Sequence, residues 1–291
     1  MLDSGSDQVD SAKISVVVRS YNEPPELFKE CVDSILRQEA VTFELIVVDS
    51  STNSEIKDIC QNHETIGYHY IPSTGLSDGR NKGIEVSKYD YVAFTDPDCV
   101  VEQLWLKNLC ETLNLKAAIV GGKVIPRWLS KPPSVIRNSK LAWATLSLID
   151  IGDSVVEVAK IVGANFAIDK KVLAQVGYFS ENLGRRKGTL LGGEETDLCR
   201  RAREQGLKVV YTPFAVVEHQ IPPSRLTFGW MFKRMYYGGV ARALRGGMPE
   251  PVAAKRNSYD YIFLAAFIVP YLAGLARGRL SQALTRAERT E

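Results

Sequence analysis

Short apolar runs alternate with helical stretches along the first 125 residues, and this alternation limits the fold more than any other feature. Four short runs predict strands, at 14–18, 43–48, 66–71 and 91–95, and the first of them is a β-branched run typical of a buried strand. Between the first two, residues 26–37 carry apolar side chains at helical spacing. Such an order predicts an α/β fold, with a doubly wound, mainly parallel sheet and helices on both faces.

Two acids stand where predicted strands end. Asp49 follows the second strand and Asp96 follows the fourth. Ligands of doubly wound sheets bind outside the carboxyl ends of the strands. We therefore expect Asp49 and Asp96 to face one crevice.

Signals are weaker in the rest of the chain. Residues 1–12 are polar and aperiodic and predict a flexible tail, whereas 126–160 predict only loops or short helices of undefined shape. The remaining predicted elements are helices at 105–115 and 194–205 and strands at 118–125, 161–168, 208–211 and 215–217.

Residues 222–291 differ from the rest of the chain in net charge and in the distribution of aromatic and apolar residues. They carry eleven Lys and Arg against four Asp and Glu, within a chain of net charge +2. Aromatic and basic residues mix over 228–244, as in an interfacial helix, and 261–276 lacks any charge. A perpendicular span needs about 20 apolar residues, and Pro270 interrupts this run, so a span, a re-entrant element and a docked helix all remain open. The basic balance favours an anionic membrane surface as partner.

Composition excludes several classes of protein. With 45% hydrophobic and 24% charged residues, the chain is neither disordered, collagen-like nor a multi-span membrane protein. Five scattered cysteines without a C-x-x-C pair predict a reducing compartment and no structural zinc, and the acidic N-terminal residues predict no signal peptide. Nucleic acid is not an expected partner, because the positive charge lies among aromatic and apolar residues.

Three segments carry candidate chemistry. Asp96 and Asp98, two residues apart at a strand end, can share one divalent cation. The glycine-rich turn 75–83 contains Arg80 and opens a helix. Its two possible roles are to bind a diphosphate or to form a capped surface helix with solvated basic residues. Residues 192–200 begin with two glycines followed by two glutamates. A glutamate here either acts as a general base or only complements the dipole of the helix that follows. His219, after an apolar strand, is by itself more typical of a hydrogen-bonded structural histidine.

Six segments together come in the order and approximate spacing of the family 2 inverting glycosyltransferases, which the chain resembles from 13 to 219. They are 15–23, 47–51, 75–83, 96–98, 163–166 and 194–201. The resemblance implies a GT-A fold with a nucleotide-sugar half at 13–125, an acceptor half at 126–221, and a membrane-associated helical segment at 222–291. The Gln-x-x-Arg-Trp signature of processive members is absent, which favours transfer of a single sugar.

The resemblance also implies donor-binding residues. Arg19, Tyr21 and Glu23 match the segment that lines the nucleotide. Asp49 resembles the acid that reads the uracil edge, so a UDP-sugar is the favoured donor. Arg80 resembles the contact to the diphosphate or nucleobase, although Asp78-Gly79 replaces the small residue that usually precedes it.

Further roles follow from the same resemblance. Asp96 matches the acid nearer the ribose, and Asp98 matches the ligand of Mn²⁺ or Mg²⁺, in a site that His219 completes. Glu195 stands where the family usually has an Asp as catalytic base, which adds one methylene. On the sugar or acceptor side, the matching residues are Gly163, Asn165 and Glu194.

The implied function is inverting, metal-dependent transfer of one sugar to a hydroxyl of a lipid-linked or glycan acceptor. The reaction is expected at the cytoplasmic membrane face, in the synthesis of cell-envelope polysaccharide. A catalytically silent nucleotide-sugar-binding protein is an alternative. A sugar nucleotidyltransferase is disfavoured, because the loop after its first strand is usually glycine-rich and basic, whereas this chain has 20–24 as Ser-Tyr-Asn-Glu-Pro.

Overall fold

The computed structural model describes residues 12–246 and 256–288. The strands within these residues are β1 Lys13–Ser20, β2 Thr42–Asp49, β3 Ile66–Tyr70, β4 Tyr91–Thr95, β5 Cys99–Val101, β6 Ile119–Trp128, β7 Val156–Glu157, β8 Asn165–Asp169 and β9 Val209–Ile221. The α-helices are α1 Pro25–Leu36, α2 Glu55–Gln61, α3 Leu76–Val86, α4 Trp105–Asn114, α5 Ser134–Asn138, α6 Lys140–Thr145, α7 Leu173–Val176, α8 Glu194–Glu204, α9 Phe228–Arg245 and α10 Ser258–Glu288. Residues 1–11 of the predicted flexible tail lie outside the described residues.

The described strands form one mixed sheet in the order β3-β2-β1-β4-β8-β6-β9-β5, with β7 beside β9. In the first half, β3, β2, β1 and β4 are all parallel, as predicted. In the second half, β8 is antiparallel to both β4 and β6, whereas β9 is parallel to β6 and antiparallel to β5 and β7. The α/β fold is therefore confirmed, and its parallel character holds in the half where βα units repeat.

Helices cover both faces of the sheet. Alternate residues of a strand point to opposite faces, and β1 follows this pattern. Val16 packs in a core cluster with Phe28 of α1, whereas Val17 packs in a second cluster with Ile84 of α3 and Leu198 of α8. The two buried layers hold the carboxyl ends of β1 and β4 in fixed positions.

Several predicted boundaries are wrong. The strand expected at 161–168 begins only at Asn165, since Gly163 lies in a turn. The two short strands expected at 208–217 are one strand, β9, whose register to β6 shifts from Thr212 to Val216. Pro213 lies in this irregular stretch, where it has no N–H to give to a ladder. The undefined stretch at 126–160 holds the end of β6, the helices α5 and α6, and β7.

The C-terminal helices α9 and α10 lie side by side. A Cβ on Gly239 would collide with the carbonyl oxygen of Tyr271, and one on Gly274 with that of Tyr236, so only glycine allows this approach. The prediction that Pro270 breaks the apolar run is wrong, because α10 continues through it.

One end of α10 is tied to the rest of the protein. Asp260 is buried and accepts hydrogen bonds from Ser139 Oγ (2.8 Å) and Leu141 N (3.0 Å) at the start of α6. Among the described residues, Ser258–Leu284 is the one helix long and apolar enough to cross a membrane, with mean hydropathy 1.6. Its outer face exposes apolar side chains, namely Ile262, Val269, Leu272, Leu280 and Leu284.

Candidate active site

A cavity of about 280 Å³ opens at the carboxyl ends of β1 and β4. The loop between α7 and α8 and two arginines of the C-terminal segment also line it. Nine predicted site residues line this cavity: Arg19, Tyr21, Glu23, Arg80, Asp96, Asp98, Gly163, Glu194 and Glu195. Three others do not line it: Asp49, Asn165 and His219.

Asp98 and His219 meet because of strand register. Cys99 of β5 pairs with His219 of β9, which places Nε2 of His219 3.4 Å from Oδ2 of Asp98. Both side chains are buried, and Nδ1 of His219 has no hydrogen-bond partner among the described residues. The Sγ of Cys99 is also close, but burial and the charge of Asp98 raise its pKa well above the ordinary value, so it stays a thiol.

This donor set fits a hard divalent cation. Mn²⁺ and Mg²⁺ take carboxylate oxygens, and imidazole nitrogen is compatible with Mn²⁺. The buried carboxylate of Asp98 and the buried Nε2 of His219 beside it are polar groups of the kind that a bound ion stabilises.

Arg225 already contacts both of these side chains. Its Nη2 donates to Oδ2 of Asp98 (2.7 Å), and its Nη1 lies 2.8 Å from Nε2 of His219. Burial alone raises the pKa of Asp98, but the charges of Arg225 and His219 outweigh it and hold that pKa well below its usual range.

Arg80 joins three parts of the cavity wall. Its guanidinium, 3% exposed, donates to Oε1 of Glu194 (2.7 Å) and to the carbonyl of Gly163 (2.8 Å), and it lies 3.4 Å from Oδ1 of Asp96. The same group lies over the rings of Phe166 and Phe179. Arg80 therefore has a positioning role within the wall, beyond any contact with a ligand.

The two glutamates at the start of α8 differ in environment. Gly193 precedes them with φ +95°, a left-handed conformation that turns the chain into the helix. Glu194 is buried, and burial together with the neighbouring Glu195 raises its pKa to about 7 against the opposing charge of Arg80. Glu195 is only half-buried at the cavity wall. Both residues line the cavity, and Glu195 is the more exposed of the two.

Asp49 does not share the cavity with Asp96, contrary to expectation. Its Oδ1 accepts from the backbone N (3.0 Å) and Oγ (2.6 Å) of Ser51, and its Oδ2 accepts from Tyr68 OH (3.0 Å). Ser51 and Tyr68 line a separate hollow on the surface. The side chain of Arg19 lies between the two regions, because it lines the cavity and donates to Ser50 Oγ (2.7 Å).

The side chain of Asn165, predicted on the sugar or acceptor side, does not line the cavity. This side chain is fully buried, accepts from Trp105 Nε1 (2.8 Å), and donates to the carbonyls of Lys123 (2.9 Å) and Ala215 (2.8 Å). Its amide thus bonds β8 to neighbouring parts of the sheet and has no free group for a ligand.

Besides Arg19 and Arg80, the cavity is lined by five basic residues that the sequence interpretation missed. Arg225 and Arg234 line the cavity although they lie in the segment assigned to the membrane, and Arg185, Arg186 and Lys187 line it from the loop before α8. The basic run 185–187 stands within ten residues of the Glu194–Glu195 pair, which is a sequence signal for the loop. Nothing in the sequence separates Arg225 and Arg234 from other basic residues nearby.

Two family models match the chain. The model described as "Glycosyl transferase family 2" matches residues 15–143, and that described as "Glycosyl transferase family group 2" matches residues 91–277. Together they extend over the sheet, the cavity and much of α10.

Similar proteins are found among curated sequences and solved structures. A glucosyl-dolichyl phosphate glucuronosyltransferase of Haloferax volcanii is 28% identical, covering 90% of this chain and 87% of its own length. A pre-mycofactocin glycosyltransferase of Mycobacterium tuberculosis is 28% identical over 72% of this chain and 44% of its own length. A mannosyltransferase from Pyrobaculum calidifontis, solved with GDP-Man and Mn²⁺, superimposes with TM-score 0.60 at 19% identity, over 96% of this chain and 75% of that one. This likeness shows a GT-A type of fold.

Proposed function

The chain belongs to the family 2 glycosyltransferases, and we propose that it moves a single sugar, with inversion, from a nucleotide-sugar to a hydroxyl of a lipid-linked or glycan acceptor. One observation carries the proposal. A single cavity joins the acids after β4, Asp96 and Asp98, to the acids that open α8, Glu194 and Glu195. In this arrangement, the proposed cation ligands and the proposed base line the same cavity.

The proposed reaction is one displacement at the anomeric carbon. Glu195 takes the proton of the acceptor hydroxyl while the hydroxyl oxygen bonds to that carbon. The bond from the carbon to the diphosphate oxygen breaks, and the nucleoside diphosphate leaves with the electron pair. A single displacement inverts the anomeric configuration. Arg80 and Glu194 hold the first turn of α8, and so Glu195, in place.

We propose that Asp98 and His219, with Asp96, hold Mn²⁺ or Mg²⁺. When bound, such a cation neutralises the charge that builds on the departing diphosphate. The burial of Asp98 and His219 and the 3.4 Å between their nearest atoms support this assignment.

Arg19, Tyr21 and Glu23 are the proposed contacts to the nucleotide, since they line the cavity beside β1. Asp49 is proposed to read the base from the adjoining hollow. Its carboxylate accepts bonds from Ser51 and Tyr68 and retains acceptor capacity for a base N–H. This favours UDP, and GDP is the donor nucleotide to test beside it, because the similar mannosyltransferase was solved with GDP-Man.

We propose that the segment 222–291 rests on the cytoplasmic face of a membrane. The apolar outer face of α10 and the nearby Arg277 and Arg279, both exposed, support contact with anionic lipid. The segment also contributes Arg225 and Arg234 to the cavity, so it is proposed to belong to the catalytic unit rather than to a separate anchor.

A thermal-shift panel tests the proposed function. UDP, GDP and their sugars are added with and without Mn²⁺, and ligands that bind the folded state raise the melting temperature. We expect a UDP-sugar with Mn²⁺ to give the largest shift. Asp98→Ala should remove the Mn²⁺-dependent part, whereas Asp153→Ala, at a site 95% exposed, should not. No stabilisation of the wild type by any of these nucleotides would contradict the proposal.

A further inference from the structure

The cavity carries more positive charge than its acids and a sugar donor neutralise. Of the described residues that line it, seven are Arg or Lys and five are Asp or Glu. A divalent cation and the diphosphate diester of a nucleotide-sugar cancel each other in charge. Loading the donor therefore leaves the positive excess in place.

The excess lies in one group of side chains. Three cations have carboxylate partners: Arg80 with Glu194 and Asp96, Arg225 with Asp98, and Arg186 with Asp78. Of the other four, Arg19 donates to Ser50 Oγ (2.7 Å) on the nucleotide side of the cavity. Within the described parts of the chain, Arg185, Lys187 and Arg234 form no ion pair. We call these three residues the cationic trio.

The cationic trio lies beside the glutamates of α8. Arg185 and Lys187 belong to the loop that leads into α8, and the carbonyl of Arg185 accepts from the backbone N of Leu76 (2.9 Å), which ties the loop to α3. Arg234 of α9 donates from Nη1 to the carbonyl of Leu190 (3.1 Å) in the same loop. Its Nε donates to the carbonyl of Thr145 (3.2 Å).

The charges within the trio act on one another. Burial and the nearby positive charge of Arg185 lower the pKa of Arg234 to about 10, partly opposed by Glu195 and Glu194. Positive charges that exceed the acids around them at a partly buried wall destabilise the fold unless an anion binds. Guanidinium and ammonium groups together are the usual ligands of a phosphate.

We propose that Arg185, Lys187 and Arg234 bind a phosphate group carried by the acceptor, close to the hydroxyl that Glu195 deprotonates. This rests on the proposed function, because Glu195 defines where the acceptor lies. The chemistry is that of a phosphomonoester or phosphodiester, as in a soluble sugar phosphate or a lipid-linked one. The apolar helix pair that supplies Arg234 favours the lipid-linked source.

Titration with hexyl phosphate tests this subsite. The protein is first saturated with UDP and Mn²⁺, and hexyl phosphate is then added in a calorimeter. The wild type is compared with Lys187→Ala and Arg234→Gln. Lys233→Ala, an exposed neighbour on α9, is the matched control.

We expect hexyl phosphate to bind the loaded wild type and the control. Lys187→Ala and Arg234→Gln should each weaken this binding about tenfold, with unchanged affinity for UDP. Hexyl phosphate binding more tightly than methyl phosphate supports a lipid-linked acceptor, and equal affinities support a soluble sugar phosphate.

Three results would overturn the subsite. If hexyl phosphate fails to bind the loaded protein, or binds the variants as tightly as the wild type, the cationic trio does not bind an acceptor phosphate. If the variants instead lose affinity for UDP and Mn²⁺, the cationic trio binds the donor diphosphate. Failure of the wild type to bind any nucleoside diphosphate overturns the proposed function itself, and with it the assignment of this phosphate to an acceptor.

Discussion

Arg225 and Asp98 form a short ion pair, with Nη2 2.7 Å from Oδ2, although the two residues are 127 positions apart. The same guanidinium lies 2.8 Å from Nε2 of His219. Both groups that best suit a divalent cation are therefore already in contact with a positive side chain. A metal ion held by Asp98, as proposed, would compete with Arg225 for the same carboxylate oxygen.

Replacing Arg225 tests this competition. In Arg225→Gln, the affinity for Mn²⁺ without nucleotide should rise by about tenfold, because a competing positive charge is removed. Electron paramagnetic resonance of free Mn²⁺ measures the affinity without any turnover. Arg127→Gln, in an exposed pair with Glu30, serves as control and should bind Mn²⁺ as the wild type does. Unchanged or weaker binding in Arg225→Gln would show that the arginine does not exclude the ion.

The Arg80–Glu194 pair should contribute strongly to stability. Both side chains are 3% exposed, and removing one partner of a buried pair costs about 3–5 kcal/mol because the other charge is left uncompensated. Arg80→Met should lower the free energy of urea unfolding by up to this amount at a pH above the pKa of Glu194, where that carboxylate is charged. Lys107→Met, in an exposed pair with Glu111, should change it by less than about 1 kcal/mol.

A double-mutant cycle separates the pair from its surroundings. Arg80→Met combined with Glu194→Gln should be less destabilising than the sum of the two single changes, because the second change removes the uncompensated acid. Additive effects would mean that the two side chains do not interact energetically.

The elevated pKa of Glu194 should give stability a distinct pH dependence. The native carboxyl, with a pKa of about 7 against an ordinary 4.5, binds more protons than the unfolded chain between these values. Its contribution to the free energy of unfolding therefore falls as pH rises through this window. Urea unfolding should be measured at about pH 5 and about pH 8. The free energy of unfolding of Glu194→Gln, relative to that of the wild type, should be higher at about pH 8 than at about pH 5. A stability difference that is the same at both pH values contradicts the assignment, and Glu204→Gln, exposed at the other end of α8, should show no such gain.

Membrane contact through α10 should depend on its exposed apolar face. Leu272→Asp should reduce sedimentation with vesicles of phosphatidylglycerol and phosphatidylcholine, because a charge on this face opposes insertion. Leu115→Asp is the matched control, since Leu115 is exposed on the far end of α4 and should not change binding. If the wild-type protein does not sediment with these vesicles, the proposed membrane contact is contradicted.

The parallel half of the sheet could be predicted from sequence because its strands are short apolar or aromatic runs, each separated from the next by one helix. Asp96 and Asp98 follow from the same pattern, since strand ends in parallel sheets meet at one edge. The second half could not be predicted in this way. The antiparallel insertion of β8 between β4 and β6 depends on non-local contacts such as those of the Asn165 amide.

Side-chain partners were less predictable than positions. The glutamate pair of α8 is visible in the sequence, but its division into a buried Glu194 and a more exposed Glu195 depends on Arg80, 114 positions away. The placement of Arg225 depends in the same way on the register between β5 and β9. Such long-range pairs leave no periodic signal along the chain.

The most direct test of the central proposal is the transfer activity of Glu195→Gln. Donor binding with Mn²⁺ should stay near that of the wild type, because the amide is similar in size, whereas transfer to an acceptor should fall by at least about a hundredfold through loss of the base. Glu204→Gln, on the same helix but exposed, should keep full activity. Turnover by Glu195→Gln at the wild-type rate would contradict the assignment of Glu195 as base.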